Sequence, residues 1–539
     1  MGALTLKSLS FYVRNWDTEK SESTDPTDGF GSNTRVYVNN NKIILIEPEY
    51  NIHNYNTWLS DKGRQFFDGM FEVLSKNSTL KNKTLSDSWT NITKILTRIV
   101  YLYNQCTIKK SNKFFTIIFE NLSLEVLSFL IVISQNYYFV NLKRAENYKT
   151  NNDLESNYQL NLTSNNKTKL ANSATCLLVS TNPRYEGYFL NLSLRQRFFK
   201  GNFKCLLIGS VINLTFPITF LGSNLNITKT IAEGTNLTCQ TLKSSINNIA
   251  IYNNEILKRL NNQNLIESLK MLKYSNIFLK SWNNLNSFSS TLSETGIQSL
   301  AKFLSVTKID LSSSGVIYFL NLNTSNISNL KQIINFKLLN LNKKNINSQK
   351  FNALFLDQSP LTAPNLEFSN KLSLTNNNKL KYFFLPTSLF YENEETLINT
   401  EGLIKKTVKI IFRKKTKNNW QLLRKIFKHL KTNINFLDKK SNNLLFFNSK
   451  NISLFRNFVN FNYQATQSLL NLNFYLINKT RSFTITYKKF KSKTQKYIST
   501  KVKYWLDDFY SGGRDEYSQT SLVLANCSSI LRTKSTNFF

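Results

Sequence analysis

The sequence predicts an α/β protein: a small β-rich N-terminal domain, then α/β domains built on parallel strands, then an irregular Lys/Asn-rich C-terminal region. Three observations carry this. Residues 1–70 alternate β-branched runs with turn residues. TCLLVS (175–180) and KCLLIGS (204–210) are apolar strand runs on either side of a helix-length segment. That order is a βαβ unit, whose strands lie parallel in a sheet covered on both faces. From 432 to 500 a Lys/Asn/Phe mixture shows little periodicity of either kind.

In chain order, SFYVR (10–14), TRVYV (34–38) and KIILI (42–46) are strand candidates, with turn chemistry in PTDGFGSN (26–33). FFTIIF (114–119) reads as a buried strand, and LSLEVLSFLIVIS (122–134) has the length of a helix. TCLLVS leads into the loop TNPRYEG (181–187), then a helix over YFLNLSLRQRFF (188–199), then KCLLIGS. Between 255 and 380 the Asn/Leu/Ser-rich sequence gives one clear strand, GVIYFLNL (315–322), and KYFFLP (381–386) is another. NNWQLLRKIFKHL (418–430) is an amphipathic helix with Trp420, Leu423, Phe427 and Leu430 on one face. The tail 504–530 regains an ordered pattern.

Hydrophobic residues at 41% against 19% charged place most of the chain among globular sequences. The net charge of +36 has two readings: an anionic partner such as nucleic acid, or drift of the coding sequence toward A and T. Gly (15) and Pro (7) are scarce, and Lys and Arg are scattered among Asn rather than clustered, which favours drift. An organelle RNA-binding or ribosomal protein is the alternative function class; the scattered charge gives no nucleic-acid partner. The five cysteines are Cys106, Cys176, Cys205, Cys239 and Cys527, none within three residues of another, so no local zinc or iron–sulfur spacing exists. Cys176 and Cys205 sit in apolar runs as core thiols, and the two histidines, His53 and His429, lie in polar surroundings. The first twenty residues lack the apolar centre of a signal peptide. The longest apolar run, Val126 to Ile133, contains a serine and falls far short of the roughly 20 residues of a membrane span. No direct membrane span is expected.

Thr181, Asn182, Pro183 and Arg184 follow a strand and precede a helix, the position where open α/β sheets bind ligands. Two readings stand. One is a nucleotide-type site with helix amides meeting phosphate. The other is a strand–helix turn in which Asn182 bonds the backbone and Pro183 starts the helix. ENEETLINTEGL (392–403) concentrates Glu392, Glu394, Glu395 and Glu401, either as paired carboxylates or as a solvated face. There is no P-loop, no GxGxxG and no nucleophile beside a base, so no catalytic residue and no metal site is predicted.

Several stretches, in order, resemble one family. Gly2-Ala3-Leu4-Thr5, Arg14-Asn15-Trp16-Asp17, EKSESTDPTDGFGSNTRVYV (19–38) and WLSDKGRQFFDGM (58–70) resemble the large "75-kDa" iron–sulfur subunit of respiratory complex I. So do DLESNYQLN (153–161), residues 176–210, FFLPTSLFYENEETLINTEG (383–402) and, in organelle-encoded versions, WLDDFYSGGRDEYSQTSLVLANCS (505–528). The resemblance implies doubly wound α/β domains of the molybdopterin oxidoreductase type, divided as 1–75, 76–255, 256–435 and 436–539. It implies a structural scaffold subunit of the peripheral arm, on the matrix side of the mitochondrial inner membrane, supporting NADH-to-ubiquinone electron transfer. It further implies a split subunit, because in that family a Cys-Pro carrying the last cluster ligand stands just before Gly-Ala-Leu-Thr. The expected partners are a separate N-terminal Fe–S fragment, the NADH-binding flavoprotein and quinone-module subunits; the clusters belong to the partner and no cofactor to this chain. Thr181, Asn182, Pro183, Arg184, Asn399, Glu401 and Gly402 would mark a vestigial crevice. The NTEG of pterin-binding relatives is followed by Arg, and here Leu403 takes that place.

Overall fold

A computed structural model describes residues 9, 13–49, 58–70, 115–136, 140–145, 170–209, 212–224, 226–245, 247–254, 268–269, 271–272, 285–289, 291–300, 303–306, 316–322, 353–358, 380–384, 388–412, 418–433, 521–527 and 530. These belong to one unit, Met1–Asn433 with Ser499–Phe539. The expectations for 432–500, apart from its first two residues, for most of the 504–530 tail, and for Cys106 and His53 lie outside the described residues.

The N-terminal sheet is antiparallel, in the order β1 (Glu19–Thr24), β2 (Asn33–Asn39), β3 (Lys42–Pro48). β2 and β3 bury residues on both faces: Val36, Val38, Ile43 and Ile46 join one core, while Tyr37 and Leu45 pack with Leu9 in another. The two residues between them, Asn40 and Asn41, both have positive φ (48° and 60°), the conformation a tight hairpin demands and Asn tolerates. Two expectations change here. Of SFYVR only residues 13–14 are described, and they are irregular; the first described strand, β1, is the polar EKSEST, which pairs along β2's backbone. WLSDKGRQFFDGM is not strand and turn either, since 61–70 is a helix that buries Phe66, Phe67 and Met70.

Two five-stranded parallel sheets follow. The first contains β4 (Phe115–Phe119) and β5 (Val140–Arg144), joined by the helix Leu124–Asn136, and later β11 (Val316–Leu320), β12 (Ala353–Gln358) and β13 (Leu380–Phe384), ordered β13-β12-β11-β4-β5. The second is β6 (Thr175–Val179), β7 (Lys204–Ile208), β8 (Thr219–Gly222), β9 (Ile249–Asn253) and β10 (Leu285–Phe288), ordered β10-β9-β6-β7-β8. The helix Tyr188–Phe199 connects β6 to β7, where the sequence placed it. The second sheet is therefore inserted between β5 and β11 of the first. Strand pairing crosses residue 255, the boundary expected between the two α/β domains.

Successive residues of a strand point to opposite faces, so a continuous apolar run serves two cores. Leu177, Val179, Leu206, Ile208, Ala250 and Tyr252 pack on one face with Ile231 and Leu242. Cys176, Leu178, Cys205, Leu207, Ile249 and Ile251 pack on the other with Phe189, Leu190 and Leu194. Cys176 and Cys205 are buried, free and opposite one another in register, as core thiols.

The helix Asn419–Asn433 packs on the first sheet, its Phe427 ring 5.6 Å from Phe115. Its buried face is Leu422, Leu423, Ile426 and Phe427, while Trp420 is only half-buried. The expected stripe holds at Leu423 and Phe427; the side chain of Leu430 is outside the described set.

Candidate functional site

In the second sheet the chain first builds outward from β6 through β7 to β8, then returns to place β9 on β6's other side. The crevice of such a sheet lies at the carboxyl ends of the two strands flanking that reversal, here β6 and β9. Ser180 leaves β6 with φ +52° and donates its amide to Ile208 O at 2.6 Å. Gly209 ends β7 at φ +147°, and a Cβ there would stand 3.2 Å from the Ser180 Cα, so the two strand ends are knit at backbone contact.

Thr181 and Asn182 come next, both 3% exposed. Pro183 opens the single helical turn Pro183–Glu186, as the turn reading expects. Asn182 does not cap it with its side chain. Its amide instead donates to Glu186 Oε2 at 3.0 Å, and the same oxygen accepts Asn253 Nδ2 at 2.9 Å from the end of β9. Glu186, absent from the predicted site, thus carries a buried carboxylate across the crevice. Arg184 donates to Asn213 O at 3.0 Å.

The NTEG segment is the tip of a hairpin, β14 (Thr396–Ile398) with β15 (Ile404–Lys406). Gly402, at φ +80°, and Leu403 both return their amides to Asn399, at 2.9 Å to its carbonyl and 2.7 Å to its Oδ1. This tip docks on the turn between β1 and β2. Asn399 Nδ2 donates to Phe30 O at 3.0 Å; Thr400 gives its amide (2.8 Å) and Oγ1 (2.9 Å) to Gly29 O, and Oγ1 also lies 3.3 Å from Ser289 O. Gly29 is compulsory, because a Cβ there would stand 1.9 Å from Ser289 O. Beside it Phe30 enters the core of the second sheet, 6.2 Å from Phe189 and 5.6 Å from Phe288.

The two predicted stretches therefore meet at one end of one sheet. Asn182–Glu186–Asn253 continues through Asn254, whose Nδ2 donates to Ser289 Oγ at 2.9 Å, to Ser289–Thr400–Gly29. Sequence reasoning missed Glu186, Asn253, Ser289 and Gly29, although Gly29 stands in a quoted turn. Among the four clustered glutamates, only Glu394 is exposed. Glu392 is 1% exposed and accepts the Leu389 amide at 2.9 Å, so it is a buried cap and not a solvated face.

The electrostatics are acidic. Burial first, and Asp25 second, push Asp28 up to about 7, with Glu401 adding in the same direction. Burial lowers Lys405, against the pull of Glu401, while its Nζ donates to Asn33 Oδ1 at 2.8 Å. Thr181 Oγ1, Asn182 Oδ1 and Asn254 Oδ1 are buried with no hydrogen-bond partner among the described residues. The two amide oxygens are acceptors, which call for donors and not for phosphate.

A family model described as molybdopterin oxidoreductase matches residues 99–429. A second, described as NADH-ubiquinone oxidoreductase NDSU1/NuoG-like, 4Fe-4S domain, matches residues 18–68. That match falls inside a chain expected to hold no cluster, so the donor set must be asked directly. A [4Fe–4S] cluster takes cysteine thiolates, and 18–68 contains no cysteine, so these residues do not fit one. Nor does the start of the turn Pro183–Glu186 fit a phosphate, since the Glu186 carboxylate already takes the Asn182 amide there and is itself an anion. The NADH-ubiquinone oxidoreductase 75 kDa subunit of Reclinomonas americana is 28% identical over 312 residues, covering 55% of this chain and 44% of that protein. NADH dehydrogenase [ubiquinone] iron-sulfur protein 1, mitochondrial, of Solanum tuberosum is 25% identical over 292 residues, covering 53% and 38%. The chain spans less than half the length of these relatives. With a match over more than half its length and the parallel sheets to accompany it, the chain belongs to the molybdopterin oxidoreductase family.

Proposed function

We propose that this chain is the non-redox, scaffolding part of the large iron–sulfur subunit of a respiratory complex I, in the peripheral arm on the matrix side of the mitochondrial inner membrane. It packs against a separately encoded N-terminal fragment that carries the Fe–S clusters, and beside the NADH-binding flavoprotein and quinone-module subunits. Electrons from NADH to ubiquinone pass through those neighbours. The observation that carries the reading is the clamp at the carboxyl ends of β6 and β9. Two of the groups that would face a cofactor are spent inside the protein, the Glu186 carboxylate on Asn182 and Asn253, and the Thr400 hydroxyl on Gly29. The relatives' names and the cysteine-free 18–68 segment support it further. No helix of the described residues is long and apolar enough to cross a membrane, which suits attachment through partners.

The test is a native gel of detergent-solubilised organelle membranes. The chain is expected to co-migrate with a large complex that has NADH dehydrogenase activity. Migration alone, or with ribosomes, would sink the proposal. Metal analysis of the purified chain is expected to find neither iron nor molybdenum in stoichiometric amount; finding either would overturn the division of labour proposed here.

A further inference from the structure

The core of the second sheet uses one face of the helix Tyr188–Phe199, where Leu190 and Leu194 are buried among the strands. Leu192, Arg195, Gln196 and Phe199 stand at i, i+3, i+4 and i+7, the spacing of a single outward face. Leu192 is half-buried, while Arg195, Gln196 and Phe199 are exposed. Phe199 is the extreme case at 68%, with the Arg195 guanidinium carbon 5.4 Å from its ring centroid. A cation over a ring one turn along the helix is held against the surface. Such an arginine has less side-chain entropy to lose when it meets an anion.

The charge around that face is one-sided. From Gly187 to Lys204 the chain has Arg195, Arg197, Lys200 and Lys204, and no acid. Arg197 is occupied: it donates to Ser173 O at 2.7 Å and to Gly201 O at 2.6 Å, and it lies over Phe203. Arg195, Lys200 and Lys204 are exposed, with no carboxylate partner among the described residues. Glu186, just before the helix, is buried against Asn182 and Asn253. At the helix start Tyr188 is raised by burial and then by Asp61, with Arg64 and Arg195 opposing.

A lysine just past a helix C-terminus is ordinarily a solvated charge that favours the dipole. That accounts for Lys200, but not for a phenylalanine left in water beside an ordered arginine. Aromatic rings and arginine with a charged rim are the composition of a protein contact surface. Nucleic acid would call for a longer track of free cations, and this face offers three at one helix end. A second copy of this chain brings the wrong sign, since its net charge is +36. We infer that this face docks a carboxylate-rich segment of a neighbouring protein subunit, with Phe199 as apolar anchor and Arg195, Lys200 and Lys204 as charge partners. The inference rests on the scaffold reading and gives the chemistry of one of its contacts.

The test uses the intact complex from detergent-solubilised organelle membranes. A zero-length carbodiimide joins a lysine amine to a carboxylate only where the two meet. Mass spectrometry should find Lys200 and Lys204 joined to Asp or Glu of another protein chain. Both lysines should react with an amine-acetylating reagent in the purified full chain and lose that reaction in the complex. Hydroxyl-radical footprinting should show the same loss at Phe199. If the lysines or Phe199 stay as reactive in the complex as in the purified chain, the inference is overturned while the scaffold reading stands. Links only to carboxylates of this same chain, or protection with no carboxylate link, would overturn it as well. So would ultraviolet cross-linking of the Phe199 peptide to RNA. A chain absent from the complex is a different result, which sinks the scaffold reading and this inference with it.

Discussion

At the scale of single residues, Gly29 is the tightest of the described glycines. Its backbone carbonyl receives two donors from Thr400, and any Cβ would enter the Ser289 carbonyl at 1.9 Å. Gly29→Ala must push the turn off the hairpin, and should cost about 1–3 kcal/mol in urea-unfolding free energy, with Thr400→Val costing less. Asp28, one residue earlier, tests the electrostatics. Its pKa is raised in the fold to about 7 from an ordinary 3.8, so the folded state holds the proton more tightly than the unfolded chain. That contribution is complete below about pH 4 and is lost as pH rises toward 7. Asp28→Asn keeps an acceptor for the Phe30 amide without the charge. The variant should equal the wild type near pH 4 and exceed its stability at pH 8 by up to a few kcal/mol, read from urea midpoints at both pH values.

At the scale of elements, the packed face and not the propensity decides which segment is which. The helix 61–70 contains two glycines and reads poorly as a helix, yet Phe66, its ring 5.8 Å from that of Tyr391, and Met70 give it a buried stripe. The helix Asn419–Asn433 is held the same way. Phe427→Ala should remove its contact with Phe115 and cost about 3–5 kcal/mol, seen as a lower thermal midpoint. The turn Pro183–Glu186 is too short to stand alone and relies on one carboxylate. Glu186→Ala should leave the Asn182 amide and Asn253 side chain without that acceptor. A loss of about 2–4 kcal/mol and faster hydrogen exchange at the Asn182 amide are the expected readouts, with Glu186→Gln intermediate.

At the scale of the whole molecule, the nested topology makes a directional statement about truncation. The second sheet is drawn from one continuous stretch, 175–288, whereas β4 pairs with β11 nearly 200 residues later. A chain ending at residue 300 should keep hydrogen-exchange protection at Leu177 and Ile251 and lose it at Ile117. Protection at all three would show that β4 and β5 do not need β11.

How much of this was legible in the sequence follows from range. Strands buried on both faces must be apolar throughout, so FTIIF, TCLLV, KCLLI and VIYFL announced themselves, as did the helix 188–199 between two of them. The crevice was legible as a place, since Thr181 to Arg184 sit between strand and helix and NTEG carries its own turn glycine. The polar strand β1, the helix 61–70 and the carboxylate of Glu186 were not, because each takes its role from a partner far along the chain. The sequence by itself determined the apolar strands FTIIF, TCLLV, KCLLI and VIYFL and that 18–68, which contains no cysteine, offers no thiolate to a cluster. Only the tertiary structure decided that one sheet is inserted in the other and that Gly29 and Thr400, 371 residues apart, close the crevice between them. Local pattern reports whether a segment will be buried; hydrogen-bond satisfaction and packing between distant segments determine against what.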